Sequence, residues 1–565
     1  MRYFFILCFL MDTALAQTAP IISTEARHHP EVAAKAMVVS QDEIATEIAL
    51  NVLKKGGNAA DAAIAAAYAL AVTQPKAGNL GGGGFALYYD AKKKKTFVID
   101  FREMAPAAAH EKMYQDKSGK VLSQKSRFTP QAVGVPGTVA GLQTLLKFGT
   151  LPHQQLIQPA IKLAEKGFPI SRGLARDLRT MSKTLQKSPH TAQTFYKSGQ
   201  ALQTGQLLVQ AQLANTLKTL SKNGPADFYT GQIAQKFCAY FEKNGGAITP
   251  EDLKNYQTKI REPVTGTYRG YTIHAMPPPS SGGVHIVQML NILEGWKLKG
   301  VGQNSASTMH LMAETMKLAF ADRSKHLGDP SYSKIPVKGL TSKKYADILR
   351  KQINLSKARP SKEILPGSPA AFESPDTTHF SIADQHGNVI SFTYTINFSF
   401  GSRIIIPELG FFLNNEMDDF SAKPGVANAY GLIGGKANKV EAGKRPLSSM
   451  TPVIVFKDSK PWLITGSPGG SRIISTVLQI IVNVIDHNMN IAQATMAPRL
   501  HHQWLPDQLR VEEGFSPDTL KLLQYLGHTT VMQKNMGCAE TIMLENGFYY
   551  GFADPRRLDG KAKGF

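Results

Sequence analysis

The sequence predicts an α+β protein built of stacked helix and sheet layers. Three observations carry that prediction. Capped, alanine-rich or apolar-spaced helices dominate the first 350 residues, strand-like segments already enter among them, and from about residue 378 the pattern turns to strands. In chain order, Ser40-Gln-Asp-Glu43 has the form of a capping box opening a helix to about Lys55, where Gly56-Gly57 stops it. Asn58 caps an alanine-rich helix to about Val72, and Pro75 follows. The four glycines at 81–84 let the backbone pass closely before a strand at 85–89. The stretch 155–350 reads as mostly helical, with 307–325 at clear helical spacing. Period-two segments at 378–384, 388–396 and 452–456 read as strands, Trp462-Leu-Ile-Thr-Gly466 as another, and 471–486 as an apolar helix.

Composition excludes several classes. The 565 residues are 42% hydrophobic and 19% charged, with 48 glycines and 32 prolines, which rules out a disordered or collagen-like chain. A chain this long removes roughly three quarters of its unfolded surface from water and needs neither disulfide nor metal to fold. Its first residues read as an export signal: Arg2, an apolar run over 3–11, and Ala14-Leu-Ala16 before Gln17. That run is too short to cross about 30 Å of hydrocarbon, so no transmembrane anchor is expected. Removal of the signal peptide 1–16 would leave Cys238 and Cys538, whose pairing the sequence leaves open. The expected location is periplasmic or secreted. The net charge of +21 would suit a nucleic acid, but the lysines are scattered. The one run, 92–95, lies between strand-like segments 85–89 and 97–101 and reads as a solvated hairpin tip. No nucleic-acid partner is expected.

The strand-rich part holds the chemistry. Gln385-His-Gly387 is a turn-forming cluster between two strands, so 378–396 reads as an antiparallel hairpin with Gln385 opposite Asn388. Alternation then puts Thr393, Thr395 and Asn397 on one face, beside Thr377. A threonine-rich surface strand is the plainer alternative. Pro468-Gly-Gly470, between a strand and a helix, would present bare backbone N–H groups at a helix N-terminus, suited to an anion or a developing oxyanion. It is no P-loop, since no Gly-Lys-Ser/Thr follows, and no Gly-x-Ser-x-Gly elbow stands there. His379, His501 and His502 lack ligand spacing and read as structural, so neither metal nor cofactor is expected.

A set of motifs, in order, resembles the bacterial gamma-glutamyltranspeptidases (glutathione hydrolases) of the N-terminal-nucleophile hydrolase superfamily. They are Gly56-Gly-Asn-Ala-Ala-Asp61, the glycine run, Asp100-Phe-Arg-Glu-Met-Ala-Pro106 and Pro277-Pro-Pro-Ser-Ser-Gly-Gly283. Then come Thr377-Thr-His-Phe-Ser-Ile-Ala-Asp384, Thr395-Ile-Asn397, Asn414-Asn-Glu-Met-Asp-Asp-Phe420, Lys444-Arg-Pro-Leu-Ser-Ser-Met450 and Gly466-Ser-Pro-Gly-Gly-Ser471. The resemblance implies a four-layer αββα sandwich made as one precursor that cuts itself between Asp376 and Thr377. A large subunit, 17–376, and a small one, 377–565, would form a heterodimer and one interlocked catalytic domain. The implied activity is transfer of the γ-glutamyl group of glutathione and related compounds to water, or to amino-acid or peptide acceptors.

The resemblance also implies roles. Thr377 is the nucleophile, whose hydroxyl needs a base; the α-amine freed by the cut, with a pKa of about 7.7–8.0, is one on the same residue. Thr395 orients it, and Gly469 and Gly470 supply the oxyanion hole. Arg102, with Ser448 and Ser449, matches the grip on the substrate α-carboxylate. Asn397, Glu416 and Asp419 match the ammonium site, and Tyr430 the tip of a lid loop. Plainer alternatives are a surface ion pair of Arg102 with Glu103, a helix-capping pair at Asp418-Asp419, and a simple turn at Ser448-Ser449. A relative cleaving glutaryl-cephalosporin or poly-γ-glutamate chains would not need the ammonium site.

Overall fold

In the computed structural model, residues 26–367, 378–423 and 435–565 are described; Asp376, Thr377, Tyr430 and the signal peptide 1–16 lie outside them. Fourteen strands make two seven-stranded antiparallel sheets. They are β1 (Glu31–Ala33), β2 (Met37–Ser40), β3 (Gly83–Asp90), β4 (Lys95–Phe101), β5 (Lys259–Arg261), β6 (Val264–Tyr268) and β7 (Tyr271–Ala275). After these come β8 (Thr378–Ala383), β9 (Val389–Thr395), β10 (Val453–Lys457), β11 (Lys460–Thr465), β12 (Glu540–Glu545), β13 (Phe548–Ala553) and β14 (Lys561–Gly564). One sheet runs β14-β2-β8-β9-β3-β4-β5, the other β1-β13-β12-β11-β10-β7-β6.

The sheets lie face to face with helices outside both. On the first sheet, Val38, Tyr88, Phe101, Ile382 and Phe392 pack against helices α1 (Glu43–Lys54) and α2 (Ala59–Thr73). From its other face, Met37, Val39, Phe85 and Leu87 join Ile273, Val455 and Leu463 of the second sheet in one core. That core continues into helices α3 (Gly282–Leu293), α4 (Ala306–His326) and α5 (Arg472–Ile485). This is the expected αββα sandwich. Strands β8 and β9 are buried on both faces rather than alternating. Their hydroxyls are satisfied across the sheet interface: Ser381 Oγ donates to the Glu540 carbonyl (2.8 Å) and Ser391 Oγ to Thr465 (3.0 Å).

Local expectations mostly hold. Asn58 caps α2 in a capping box with Asp61, and the 92–95 lysines sit at the β3–β4 tip. Three differ. The cap of α1 is Asp42, because the Ser40 hydroxyl, at a strand end, is engaged by Thr46 and the Asp42 backbone. Strands β5, β6 and β7 interrupt the stretch read as helical. The β8–β9 register is one residue tighter, pairing Ala383 with Val389. Asp384 Oδ1 accepts from the His386 and Asn388 amides and Gly387 takes φ +82°, which closes a three-residue loop. Cys238 and Cys538 are both free thiols. Among the described residues no helix is long and apolar enough to cross a membrane.

Candidate active site

Stretches more than 300 positions apart meet around one buried guanidinium. Arg102 follows β4 as the strand ends, and it is 1% exposed. Nη1 pairs with Glu416, Nη2 with Asp419 at 2.5 Å, and Glu103 stands 3.5 Å off. Nε and Nη2 also donate to the Pro446 and Leu447 carbonyls, each at 3.2 Å. Glu416–Asp419 is a single 3-10 turn. Asn414 fixes it, accepting the Glu416 N–H (3.0 Å) and donating to the Gly81 and Gly134 carbonyls (both 2.8 Å). The glycine run is what permits this approach: a Cβ on Gly82 would stand 1.9 Å from the Thr395 carbonyl oxygen, and one on Gly81 2.4 Å from that of Phe412.

Three carboxylates therefore face one arginine. Burial pushes the Glu103 carboxyl up to about 7, with Arg102 pulling the other way and Asp419 adding to the rise. Burial lifts Glu416 well above the ordinary range, opposed by Arg102 and reinforced by Glu103 and Asp419. Burial disfavours the Arg102 cation, but Glu416, Asp419 and Glu103 outweigh it and hold the charge on. No donor is aligned on Glu416 Oε2 or on either Glu103 oxygen. A cluster short of positive charge and short of N–H donors is chemically matched to an ammonium group.

The remaining candidates adjoin this cluster. β9 ends at Thr395, whose Oγ1 accepts the Asn397 N–H at 2.8 Å. Asn397 takes φ +70°, so it leaves the strand, and the expected shared face with Thr393 and Thr395 is not formed. Its Nδ2 donates to the Asn415 carbonyl (3.0 Å), while Oδ1 lacks a donor. Ser448 is laced to the Pro277-Pro-Pro-Ser-Ser motif, its amide donating to the Pro279 carbonyl and its carbonyl accepting from the Ser281 N–H, both at 2.8 Å. Arg323 of α4, fully buried, donates from Nη2 to Ser449 Oγ (3.4 Å) and from Nε to Ser281 Oγ (3.1 Å). Burial holds its pKa well below the ordinary arginine value against the pull of Asp419. Sequence reasoning passed over this second cation; the signal was an Asp322-Arg323 pair directly after the apolar run Leu318-Ala-Phe-Ala321.

Gly469 and Gly470 take φ +127° and +65° in the turn before α5, which opens without a side-chain cap. Among the described residues neither amide donates to a backbone acceptor. Two disengaged N–H groups thus sit at the positive end of a helix dipole. The turn hangs from β11, which Ser391 ties to β9; among the described residues no hydrogen bond joins it directly to the Arg102 cluster.

The plainer alternatives are corrected by these contacts. Arg102 is no surface ion pair. Asp418 and Asp419 diverge instead of capping a helix: Asp418 turns to Ser126 (2.5 Å) and Arg127 (3.3 Å). His379 is bonded to Thr393 (2.8 Å) and Ser381 (3.1 Å), and burial keeps it neutral, its pKa near 3. His310, Glu314 and His528 bring potential ligand atoms within 4.8 Å, a grouping the sequence did not reveal. They already have internal partners: His310 bonds His528 (2.8 Å) and the Asn354 carbonyl (2.7 Å), and Glu314 pairs with Lys317 (2.8 Å).

Residues 45–564 match the family model described as Gamma-glutamyltranspeptidase. The chain is 52% identical to the glutathione hydrolase proenzyme of Escherichia coli (strain K12), over 99% of this chain and 97% of that one. Among solved structures, cephalosporin acylase from Bacillus halodurans superposes with a TM-score of 0.86 at 29% identity, covering 97% of this chain and 98% of that one. Helicobacter pylori gamma-glutamyltranspeptidase is 44% identical with a TM-score of 0.56, over 57% of this chain and 93% of that one.

Proposed function

The chain belongs to the gamma-glutamyltranspeptidase family, and from that premise we propose that it is a self-processing γ-glutamyl hydrolase and transferase acting on glutathione and related amides. The observation that carries the donor assignment is the cluster of Arg102 with Glu103, Glu416 and Asp419. A γ-glutamyl donor is a zwitterion at its α-carbon. Its carboxylate takes the Arg102 fork, with Ser448 and Ser449 beside it, and its ammonium takes Glu416, Asp419 and Asn397. Binding exchanges the internal pairs of Arg102 with Glu416 and Asp419 for external ones, so little charge is left without a partner. A glutaryl side chain has no ammonium and would leave the acids unanswered, which argues against an acylase resembling the B. halodurans neighbour.

In self-cleavage the Thr377 hydroxyl attacks the Asp376 carbonyl, the peptide nitrogen leaves as an amine, and water opens the resulting ester. The freed α-amine then takes the hydroxyl proton as Thr377 attacks the γ-carbonyl. Gly469 and Gly470 hold the oxyanion, where removing a donor costs about 3–4 kcal/mol of barrier lowering. The amine product leaves with that proton, and water or an acceptor amine releases the γ-glutamyl group from the threonine ester. Thr395 orients the hydroxyl, and Tyr430 closes the pocket. Large and small subunits, 17–376 and 377–565, form the working heterodimer, outside the cytoplasm once the signal 1–16 is removed.

The test is Thr377→Ala, which should leave one intact polypeptide on a denaturing gel. N-terminal sequencing of the smaller wild-type fragment should begin at Thr377. Two fragments from the variant, or a different first residue, would remove the assignment.

A further inference from the structure

Arg323 stands in the last turn of α4, fully buried, and has no part in the chemistry proposed above. Its Nε donates to Ser281 Oγ (3.1 Å) and its Nη2 to Ser449 Oγ (3.4 Å). Ser281 is the residue before α3, and Ser449 lies ahead of β10, so one guanidinium ties both segments to α4. The two serine segments are also laced to each other. Ser281 Oγ passes its hydrogen to the Ser448 carbonyl (3.1 Å), and Ser280 Oγ donates to that of Met450 (2.8 Å). A glycine permits the approach: a Cβ on Gly282 would stand 2.1 Å from Thr451 Oγ1. From the other side Arg102 holds the Pro446 and Leu447 carbonyls. Residues 446–449 thus run between two buried arginines.

The direction of these hydrogen bonds matters. A guanidinium offers N–H donors and no acceptor, so a hydroxyl bonded to it must send its own hydrogen elsewhere. Ser281 sends its hydrogen to Ser448. Among the described residues the Ser449 hydroxyl has no acceptor. Nor has that of Ser448, whose oxygen accepts the Met450 N–H (3.1 Å). Two buried hydroxyls are therefore set as donors beside the carbonyls that Arg102 grips, where the α-carboxylate of a γ-glutamyl donor is proposed to lie. An ionised carboxylate only accepts, so it answers both. A side chain with an acceptor in place of Arg323 could take the Ser449 hydrogen itself and turn that hydroxyl away.

We propose that Arg323 is a positioning residue for donor binding, which aims the Ser449 hydroxyl at the donor α-carboxylate. This rests on the donor-site reading above, in which Ser449 meets that carboxylate. The test is a double-mutant cycle on purified, fully cut enzyme, with kcat and KM measured for a γ-glutamyl anilide. Ser449→Ala alone probes the reading itself: KM should rise about tenfold. An unchanged KM in that variant removes the donor-site reading and this proposal with it. Given that rise, Arg323→Gln should raise KM about fivefold and Arg323→Lys, still a donor only, about threefold, each with kcat within about twofold of wild type. In the Ser449→Ala background neither should add more than about twofold, because the contact it serves is gone. If neither Arg323 variant folds, Ser281→Ala, which takes one hydroxyl from the guanidinium, decides: KM about threefold up, and unchanged in the Ser449→Ala background. Additive effects overturn the proposal, as does a wild-type KM or a kcat that falls as far as KM rises. A folded Arg323→Lys chain that stays uncut also overturns it and places Arg323 in self-cleavage instead.

Discussion

Two arginine–carboxylate clusters in this molecule use the same residue types to opposite ends. Around Arg499 and Arg556, two cations meet two carboxylates, Asp554 and Glu512. Each carboxylate oxygen accepts at least two donors: Asp554 Oδ2 takes Arg499 (2.5 Å) and the Ala539 N–H (3.0 Å), and Oδ1 takes the side chain (3.2 Å) and backbone N–H (3.0 Å) of Arg556. Burial pushes Asp554 up, but Arg499 and Arg556 outweigh it, and its pKa ends below the ordinary carboxylate value. Around Arg102, one cation meets three carboxylates, oxygens of Glu103 and Glu416 lack donors, and both acids are pushed up. In the first cluster every carboxylate oxygen is answered. The second leaves carboxylate oxygens unanswered, as the proposed ammonium site requires.

That contrast can be broken by substitution. The largest effect is expected from Asp554→Asn, which strips the buried Arg499 of its carboxylate partner and should cost about 3–5 kcal/mol of stability by thermal or denaturant unfolding. Asp419→Asn should leave the melting temperature near wild type, since it relieves like-charge repulsion, while kcat/KM for zwitterionic donors falls by roughly 2–3 kcal/mol equivalent. If both variants unfold alike, the two clusters do the same job. Arg102→Lys keeps the charge but loses the planar fork, so KM for donors should rise about tenfold while self-cleavage proceeds.

The smallest effect lies in pH dependence. Glu103 binds its proton more tightly in the folded chain, near pH 7, than at the ordinary glutamate value of 4.5. Its contribution to stability is therefore complete below about 4.5 and lost as pH rises to about 7. An ammonium-bearing donor favours the ionised acid, so donor KM should fall over the same rise. Glu103→Gln should flatten both slopes in melting and kinetic series from pH 5 to 8.

Local structure was legible in the sequence where a side chain acts on its own neighbours. Asn58 announces α2, apolar spacing marks most of α4, and the strands around Gly387 are plain. The register there missed by one because Asp384 draws both flanking amides onto one oxygen, a contact no alternation pattern encodes. At Asn397 a left-handed turn overrides strand periodicity. The site was legible only through resemblance, since Arg102, Glu416 and Asp419 carry no local pattern joining them. Arg323 was missed because one charge among several on α4 reads as a surface residue until the packing around it is known.

The strand order has one more consequence. In the first sheet β14, β8 and β9 come from one side of the proposed break and β2, β3, β4 and β5 from the other, and the second sheet is likewise mixed. Pieces interleaved in this way cannot drift apart on dilution, so specific activity should stay constant down to the lowest assayable concentration. Produced separately, each piece would carry raw sheet edges prone to aggregate rather than reassociate. The unbroken precursor is thus a template needed once, for weaving, and dispensable afterwards.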